Sequence, residues 1–160
     1  MSSNIPAVVL AHGPGGLGAV RCLARRGVPV TAIAFGPDEP IVGSRWPQRT
    51  WIAEAAPELK DREILRLLVQ NGGREAALLM TSDRMLELVA RNREELAGCG
   101  YRFQVPALEL VQMLNDKVTE TEHLASLGVP VPKTVYPLPP QPADLERELG
   151  SEVIFKPRTY

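Results

Sequence analysis

The sequence predicts an α/β fold with a Rossmann-like, doubly wound and mainly parallel sheet. Three observations support this class: short unbroken apolar runs, amphipathic stretches that alternate with them, and a glycine-rich turn after the first run. Unbroken apolar runs are typical of parallel strands, because such strands are covered on both faces. The 160 residues are 44% hydrophobic, so the chain is able to bury a substantial core.

A βαβ unit opens the chain. The run Ala7–Ala11 predicts a buried strand, and Val28–Phe35 predicts a second one. Between them, apolar residues recur at helical spacing, and Gly27 is a suitable end for this helix. The residues with that spacing are Leu17, Val20 and Ala24.

Strands and helices continue to alternate up to about residue 105. The next predicted strands are "QRTWIA", "AALLM" and "YRFQV". A helix is predicted from Asp61 to about Gln70, and another follows the N-cap sequence Thr81-Ser82-Asp83. One face of that second helix is formed by Met85, Val89 and Leu96. We therefore assign residues 1–110 to one Rossmann-like domain.

Residues 111–160 differ in character and predict the opening α+β segment of a second domain. "LNDKVTETEHLASLG" reads as one helix, "VPVPKTVYP" as an extended segment and "PADLERELG" as a short helix. "SEVIFKP" is predicted to be a strand that ends on Lys156. The stripe along the first of these helices is formed by Leu114, Val118, Thr121 and Ala125.

The glycine-rich turn fits the spacing G-x-G-x-x-G through Gly13, Gly15 and Gly18. A glycine turn between a strand and a helix is suited to phosphate, because the helix N-terminus presents free N–H groups and partial positive charge. Dinucleotide binding also requires an acidic residue at the end of the second strand, where this chain has Phe35. Three interpretations remain: a turn without a ligand, a site for an anion other than a dinucleotide, and an NAD(P) site.

Two lysines provide a second candidate site. Lys117 lies at the start of a predicted helix, and Lys156 ends an apolar predicted strand. An ammonium group next to a core is costly without an anionic partner, and a nucleotide phosphate is a suitable one. Arg158 follows two residues later, and the sequence does not choose between phosphate and solvent as its partner.

These segments together resemble the ATP-grasp superfamily of carboxylate–amine ligases, in particular predicted ligases similar to D-aspartate ligase. "LAHGPGGLGAVRCLARRGVPVTAI", "SRWPQRTW" and "LLMTSDRMLELVARNREEL" resemble the pre-ATP-grasp domain. "LNDKVTETEHLASLGVPVPKT" resembles the family's helix with Asp-Lys followed by G-[IV]-P-x-P, and "EVIFKP" its lysine-bearing strand. The resemblance covers essentially the whole chain.

The resemblance implies an ATP-dependent ligase that activates a carboxylate as an acylphosphate, which an amine then attacks. Lys117 and Lys156 would contact the ATP phosphates. Residues at the carboxyl ends of the sheet strands would border the acceptor substrate. These substrate-binding candidates are Gly13, Gly15, Gly16, Gly18, Arg45, Thr81, Ser82 and Asp83.

The family's magnesium ligands and catalytic residues normally lie beyond the second lysine, and the given sequence ends four residues after Lys156. We therefore expect an inactive N-terminal fragment with ATP and magnesium as the parent enzyme's cofactors. The alternatives are an NAD(P)-binding oxidoreductase fragment and a non-catalytic module that binds a small anion.

Charge and composition limit the classes of partner that the chain is expected to bind. Eighteen basic and 19 acidic residues give a net charge of −1, which does not favour nucleic acid or an anionic membrane. Cys22 and Cys99 stand alone, and the start does not resemble a signal peptide, so a reducing cytoplasm is expected. Small-molecule carboxylates and amines are the expected partners, and a homodimer is compatible with the family.

Overall fold

The computed structural model describes residues 5–159, which divide into two compact units. The first unit extends to Leu108 and the second begins at Glu109. The first unit contains a five-stranded sheet, and the second consists of helices and irregular segments. Among the described residues, no helix combines the length and apolar character that a membrane crossing needs.

The sheet has the strand order β3-β2-β1-β4-β5, and every pair of neighbours runs parallel. This confirms the doubly wound α/β class. In register, Leu10 of the central strand lies between Ile33 on one side and Met80 on the other. The strands are β1 (Ala7–Ala11), β2 (Val30–Ala34), β3 (Arg49–Ile52), β4 (Ala76–Met80) and β5 (Tyr101–Arg102). The predicted strand "YRFQV" is thus only two residues long.

The helices of the first unit follow the predicted order with one correction. The helix with Met85, Val89 and Leu96 on one face is in fact two helices, because the chain breaks at Asn92. The Asn92 side-chain amide donates to Leu88 O at 2.8 Å and so competes for a helix carbonyl. The helices are α1 (Gly13–Ala24), α2 (Lys60–Gln70), α3 (Asp83–Arg91) and α4 (Arg93–Gly98), with a short 3₁₀ turn at Pro57–Leu59.

The two faces of the sheet bury different side chains. One face packs larger residues against α2, α3 and α4, including Leu10, Ile33 and Leu78. The other face is largely alanine and valine, and α1 and the loop after β2 cover it. Its strand residues are Ala7, Val9, Ala11, Val30, Ala32 and Ala34. Small side chains on this face allow α1 to lie close to the sheet.

The second unit contains α5 (Leu108–Asn115), α6 (Lys117–Ser126) and α7 (Pro142–Leu149). The single helix predicted for "LNDKVTETEHLASLG" is wrong, because Asp116 adopts an extended conformation and starts a new helix. Its carboxylate accepts the N–H groups of Val118 and Thr119, which is the bonding of an N-cap.

The predicted strand "SEVIFKP" is not present in the described residues, which are irregular from 151 to 159. Ile154 and Phe155 are exposed, at 85% and 65%. A strand requires a hydrogen-bonded neighbour, and the described part of the second unit contains no strand for this segment to pair with. Lys156 therefore lies on an exposed irregular segment.

Candidate functional site

The first candidate site is the crevice at the carboxyl ends of β1 and β4. These strands are neighbours at the centre of the sheet, and their connections leave in opposite directions. In open α/β sheets, ligands bind at such a topological switch point. Gly13 lies two residues after β1, and Thr81 follows β4 directly, so two of the predicted substrate segments meet here.

Thr81 joins the two segments by hydrogen bonds. Its hydroxyl donates to Leu10 O at 2.7 Å and accepts the N–H of His12 at 3.2 Å. The side chain therefore links the end of β1 to the end of β4 across the crevice. This fixes the distance between the start of α1 and the loop after β4.

Ser82 and Asp83 follow at the start of α3. Ser82 is the N-cap residue, but its hydroxyl makes no capping hydrogen bond. The oxygen is buried and has no hydrogen-bond partner among the described residues. Asp83 occupies the first turn of α3 and is exposed, where a negative charge favours the helix dipole.

The glycine motif lies within a helix and not in a loop. Helix α1 begins at Gly13, which has φ +56°, a conformation that favours glycine. A Cβ at Gly16 would lie 2.5 Å from Ala11 Cα, so Gly16 permits the close packing of α1 on β1. At Gly15 and Gly18 an added Cβ meets nothing within 4 Å. The close-packing glycine is therefore outside the G-x-G-x-x-G spacing.

The N-terminus of α1 holds a carboxylate from the chain itself. Glu39 accepts the N–H of Gly13 at 2.8 Å with one oxygen and contacts His12 Nδ1 at 2.7 Å with the other. Its side chain is only 13% exposed. A carboxylate at this position stabilises the helix dipole and satisfies an N–H group that would otherwise lack a partner.

Glu39 was not among the residues singled out from the sequence. It lies five residues beyond β2 in a turn-forming segment, and its contacts are 26 and 27 residues away. The only sequence signal is an acidic residue just past the second strand, displaced from the position of a ribose ligand. His12 is also held by Phe35, whose ring centroid lies 5.0 Å from the imidazole.

Arg45 lies in the loop that leads to the edge strand β3. It is exposed, and its guanidinium lies over the Trp46 ring, 5.4 Å from the centroid. Gln48, three residues later, donates its N–H to Val30 O at the amino end of β2. Among the described contacts, none joins Arg45 to the glycines or to Thr81.

The second candidate site lies at the N-terminus of α6. Lys117 is the first residue of this helix, and its ammonium is 3.3 Å from Glu120 Oε2. The N–H of Lys117 donates to Arg158 O at 3.0 Å. Lys156 lies two residues before Arg158, so the segment that carries it reaches this end of α6.

Arg158 is fixed by three further contacts within the second unit. Its Nε donates to Asp116 Oδ2 at 2.6 Å, and Nη1 donates to the Tyr136 hydroxyl at 3.0 Å. The guanidinium also lies 5.0 Å from the centre of the Tyr136 ring. Partial burial acts to raise the pKa of Asp116, but hydrogen bonds from Arg158, Thr119 and Val118 outweigh it and lower that pKa.

The described residues contain no group of three or more His, Cys, Asp or Glu side chains arranged to hold a metal ion. We therefore assign no magnesium ligand among residues 5–159.

No protein-family model and no curated protein matches the chain. Solved structures do match it. An L-amino acid ligase from Bacillus licheniformis has 14% identity and a TM-score of 0.59, over 93% of this chain and 41% of that one. The multifunctional pyruvate carboxylase of Rhizobium etli has 20% identity and a TM-score of 0.56, over 84% of this chain and 13% of that one.

A third match is the biotin carboxylase domain of the Hydrogenobacter thermophilus 2-oxoglutarate carboxylase, with 18% identity and a TM-score of 0.55. It covers 91% of this chain and 32% of that one. The chain thus spans less than half the length of each of these structures. At such identities the likeness establishes the fold alone, and the chain shares its α/β fold with part of each of these ligase and carboxylase structures.

Proposed function

We propose that the chain is the N-terminal part of an ATP-dependent carboxylate–amine ligase. Lys117 and Lys156 bind the phosphates of ATP, and the crevice between β1 and β4 receives the carboxylate substrate. The reaction is the transfer of the γ-phosphoryl group to a carboxylate oxygen with release of ADP. An amine then attacks the acyl carbon, and phosphate leaves.

The observation that carries the proposal is the meeting of the two lysine segments at one end of α6. Lys117 is the first helical residue, and its N–H is bonded to the backbone of Arg158. Because Lys156 precedes Arg158 by two residues, its Cα lies at most about 7 Å from the Cα of Arg158. Two lysine-bearing segments at one end of the helix supply positive charge that favours a polyphosphate, while the first N–H groups of α6 are already bonded to Asp116 and to Arg158 O.

The chemistry required of these residues is electrostatic. Phosphoryl transfer depends on positioning and on neutralising the charge that develops on the phosphate oxygens, which lysine ammonium groups supply. The Hydrogenobacter thermophilus domain was solved with MgADP, ADP and bicarbonate, which supports nucleotide and carboxylate-like ligands for this fold. Magnesium, when bound with the nucleotide, would supply further charge neutralisation.

The crevice between β1 and β4 is the proposed place for the acceptor substrate. The candidate residues that border it are Gly13, Gly15, Gly16, Gly18, Thr81, Ser82 and Asp83, while Arg45 has no described contact with them. Glu39 changes the chemistry expected at the α1 N-terminus, because its carboxylate already accepts the Gly13 N–H. An anionic substrate group would bind that N–H only after Glu39 moves away.

The proposal is tested by titrating the chain with ATP and comparing three lysine variants. Lys117→Ala and Lys156→Ala are each expected to weaken ATP binding by about 1.5–3 kcal/mol, the usual range for a hydrogen bond to a charged group. Lys133→Ala is the matched control, since Lys133 lies in the same unit and donates to Glu148 O.

Equal affinities of the Lys117, Lys156 and Lys133 variants for ATP would refute the phosphate assignment. A parallel titration with NADH separates the oxidoreductase alternative. Saturable NADH binding that is lost in a Gly13→Ala variant and kept in Lys156→Ala would place a dinucleotide at α1 and count against the ligase.

A further inference from the structure

Residue 158 contacts both the side chain and the backbone at the start of α6. The guanidinium binds the outer oxygen of Asp116, whose other oxygen caps the helix by accepting from Val118 and Thr119. The carbonyl of Arg158 accepts from the N–H of Lys117. Asp116 thus serves two partners at once, the helix that begins there and a segment 42 residues away.

The contact is more defined than an ordinary surface ion pair. The Asp116 side chain is 18% exposed, and the Arg158 guanidinium is held by a carboxylate, a hydroxyl and an aromatic ring. A planar guanidinium presents its donors in a fixed fork, so engaging two partners sets its orientation. Tyr136 and Asp116 together therefore fix the position of Arg158.

We propose that Arg158 is a positioning residue, which fastens the segment carrying Lys156 to the first turn of α6 so that Lys156 and Lys117 reach the same phosphate chain. The inference rests on the proposed function. An anchor is needed because the segment has no strand partner among the described residues, and Ile154 and Phe155 beside Lys156 are exposed. In the described contacts, the Arg158 anchor takes the place of a strand ladder.

Pro157 adds to this effect. It stands between Lys156 and the anchor, and its ring fixes its own φ near −65° and restricts the residue before it. Lys156 is therefore coupled to Arg158 through a short and stiff connection. Anchoring Arg158 limits where the ammonium group of Lys156 can reach.

The geometry is tested without nucleotide by chemical cross-linking. The chain has only four lysines, Lys60, Lys117, Lys133 and Lys156, so a short lysine-reactive cross-linker gives few products. We expect a Lys117–Lys156 cross-link in the unaltered chain, identified by peptide mass. Arg158→Ala should lower its yield about threefold to tenfold, as expected for losing a partly exposed charge-assisted contact.

Asp116→Asn separates anchoring from capping. Asparagine caps helices as well as aspartate does, but its neutral amide lacks the carboxylate that pairs with Arg158. The variant should therefore lose the cross-link as Arg158→Ala does, with the far-ultraviolet circular dichroism of the chain unchanged. Arg147→Ala, which breaks an exposed pair with Asp144 in the same unit, should leave the yield unchanged.

A double-mutant cycle then tests whether Arg158 acts through Lys156. Arg158→Ala should weaken ATP binding about threefold to tenfold in the unaltered chain but less than about twofold in a Lys156→Ala background. An equal loss in both backgrounds would show that Arg158 acts independently of Lys156 and would overturn the inference.

The two failures are distinguishable. An unchanged cross-link yield in Arg158→Ala overturns the positioning role whatever the ATP titrations give. ATP affinities that do not change in Lys117→Ala and Lys156→Ala overturn the proposed function instead, because the cross-link does not depend on nucleotide.

Discussion

Gly16 lies directly against Ala11, in a contact that leaves no room for a side chain. A Cβ built on Gly16 would be 2.5 Å from the Cα of Ala11 and 2.6 Å from its carbonyl carbon. Both atoms belong to the backbone, so they cannot rotate away. The contact sets the spacing between α1 and β1 and, with it, the position of the α1 N-terminus beside the crevice.

Gly16→Ala should therefore destabilise the chain by about 1–3 kcal/mol, the usual cost of overpacking a well-packed core. The cost arises because α1 has to move away from β1, which loosens the packing of Val20 against the same face of the sheet. Urea unfolding followed by circular dichroism measures the free energy of unfolding.

Gly15 and Gly18 are the matched controls, since they lie in the same helix and an added Cβ meets nothing within 4 Å. Gly15→Ala and Gly18→Ala should each raise the free energy of unfolding by about 0.5–1 kcal/mol, because alanine favours helix. A stability gain at Gly16 equal to that at Gly18 would contradict the close-contact argument.

The strands β1 and β4 follow from the sequence because burial on both faces removes polar residues from them. "AVVLA" has all five of its residues buried, and "AALLM" forms β4 at the predicted positions. The alternation of apolar runs with amphipathic stretches predicted a parallel, doubly wound sheet, and the structure confirms it. The prediction succeeded here because an unbroken apolar run indicates a strand that is covered on both faces.

The sequence predicted one helix in two places where the structure has two, and in both places the reason is local. Asn92 and Asp116 use their side chains to bind backbone groups of the neighbouring turns, which ends one helix or starts the next. Apolar periodicity continues across both positions and does not register these bonds. The predicted strand at 153–155 failed because strand formation requires a partner, which an apolar run does not itself provide.

The position of the candidate crevice could be inferred from the sequence because strand ends identify it, and its role in binding stays a prediction. Thr81 and Gly13 were selected as residues that follow β4 and β1, and the structure brings their segments together. Glu39 and the Arg158–Asp116 pair could not be found this way, since their contacts span 26 to 42 residues. Polar contacts between residues far apart in the sequence produce no periodic pattern from which they could be predicted.

Glu39 provides a second prediction. Removing its carboxylate in Glu39→Ala leaves the Gly13 N–H and His12 without their partner, so the chain should lose about 1–2 kcal/mol of stability. Thermal and urea unfolding would both report the loss. Asp38→Asn is the control, because the neighbouring Asp38 is exposed and should change stability by less than about 0.5 kcal/mol. Equal effects from the two variants would mean that Glu39 contributes only its negative charge, and not its contacts with Gly13 and His12.

Tyr101 provides a third prediction. It is 3% exposed, and its hydroxyl donates to Leu68 O at 2.9 Å in the last turns of α2. Tyr101→Phe should cost about 1 kcal/mol, because it removes a hydrogen bond and leaves a buried carbonyl without its partner. The measurement is the free energy of unfolding at neutral pH, and an unchanged value would show that Leu68 O is satisfied without Tyr101.

The same residue predicts how stability changes at high pH. Burial, with a smaller contribution from Cys99, raises the pKa of Tyr101 from 10.0 to about 12. A pKa raised in the folded state stabilises the chain below the unfolded value, and this stabilisation is lost as pH rises from about 10 to 12. Tyr101→Phe should lack this part of the alkaline decline, and superimposable pH profiles of the two proteins would contradict the burial of the phenol.

The Asp116–Arg158 pair provides the last prediction, at the acidic end of the pH scale. Partial burial of Asp116 acts to raise its pKa, but the hydrogen bonds from Arg158 and the helix N–H groups lower it below 3.8. A lowered pKa means that the contact contributes above this ordinary value and is lost as pH falls through the lowered one. Arg158→Ala should therefore raise the pKa of Asp116, as measured by carbon NMR of its carboxyl group. Arg147→Ala should leave it unchanged, and an equal pKa in all three proteins would show that the guanidinium does not hold Asp116 in solution.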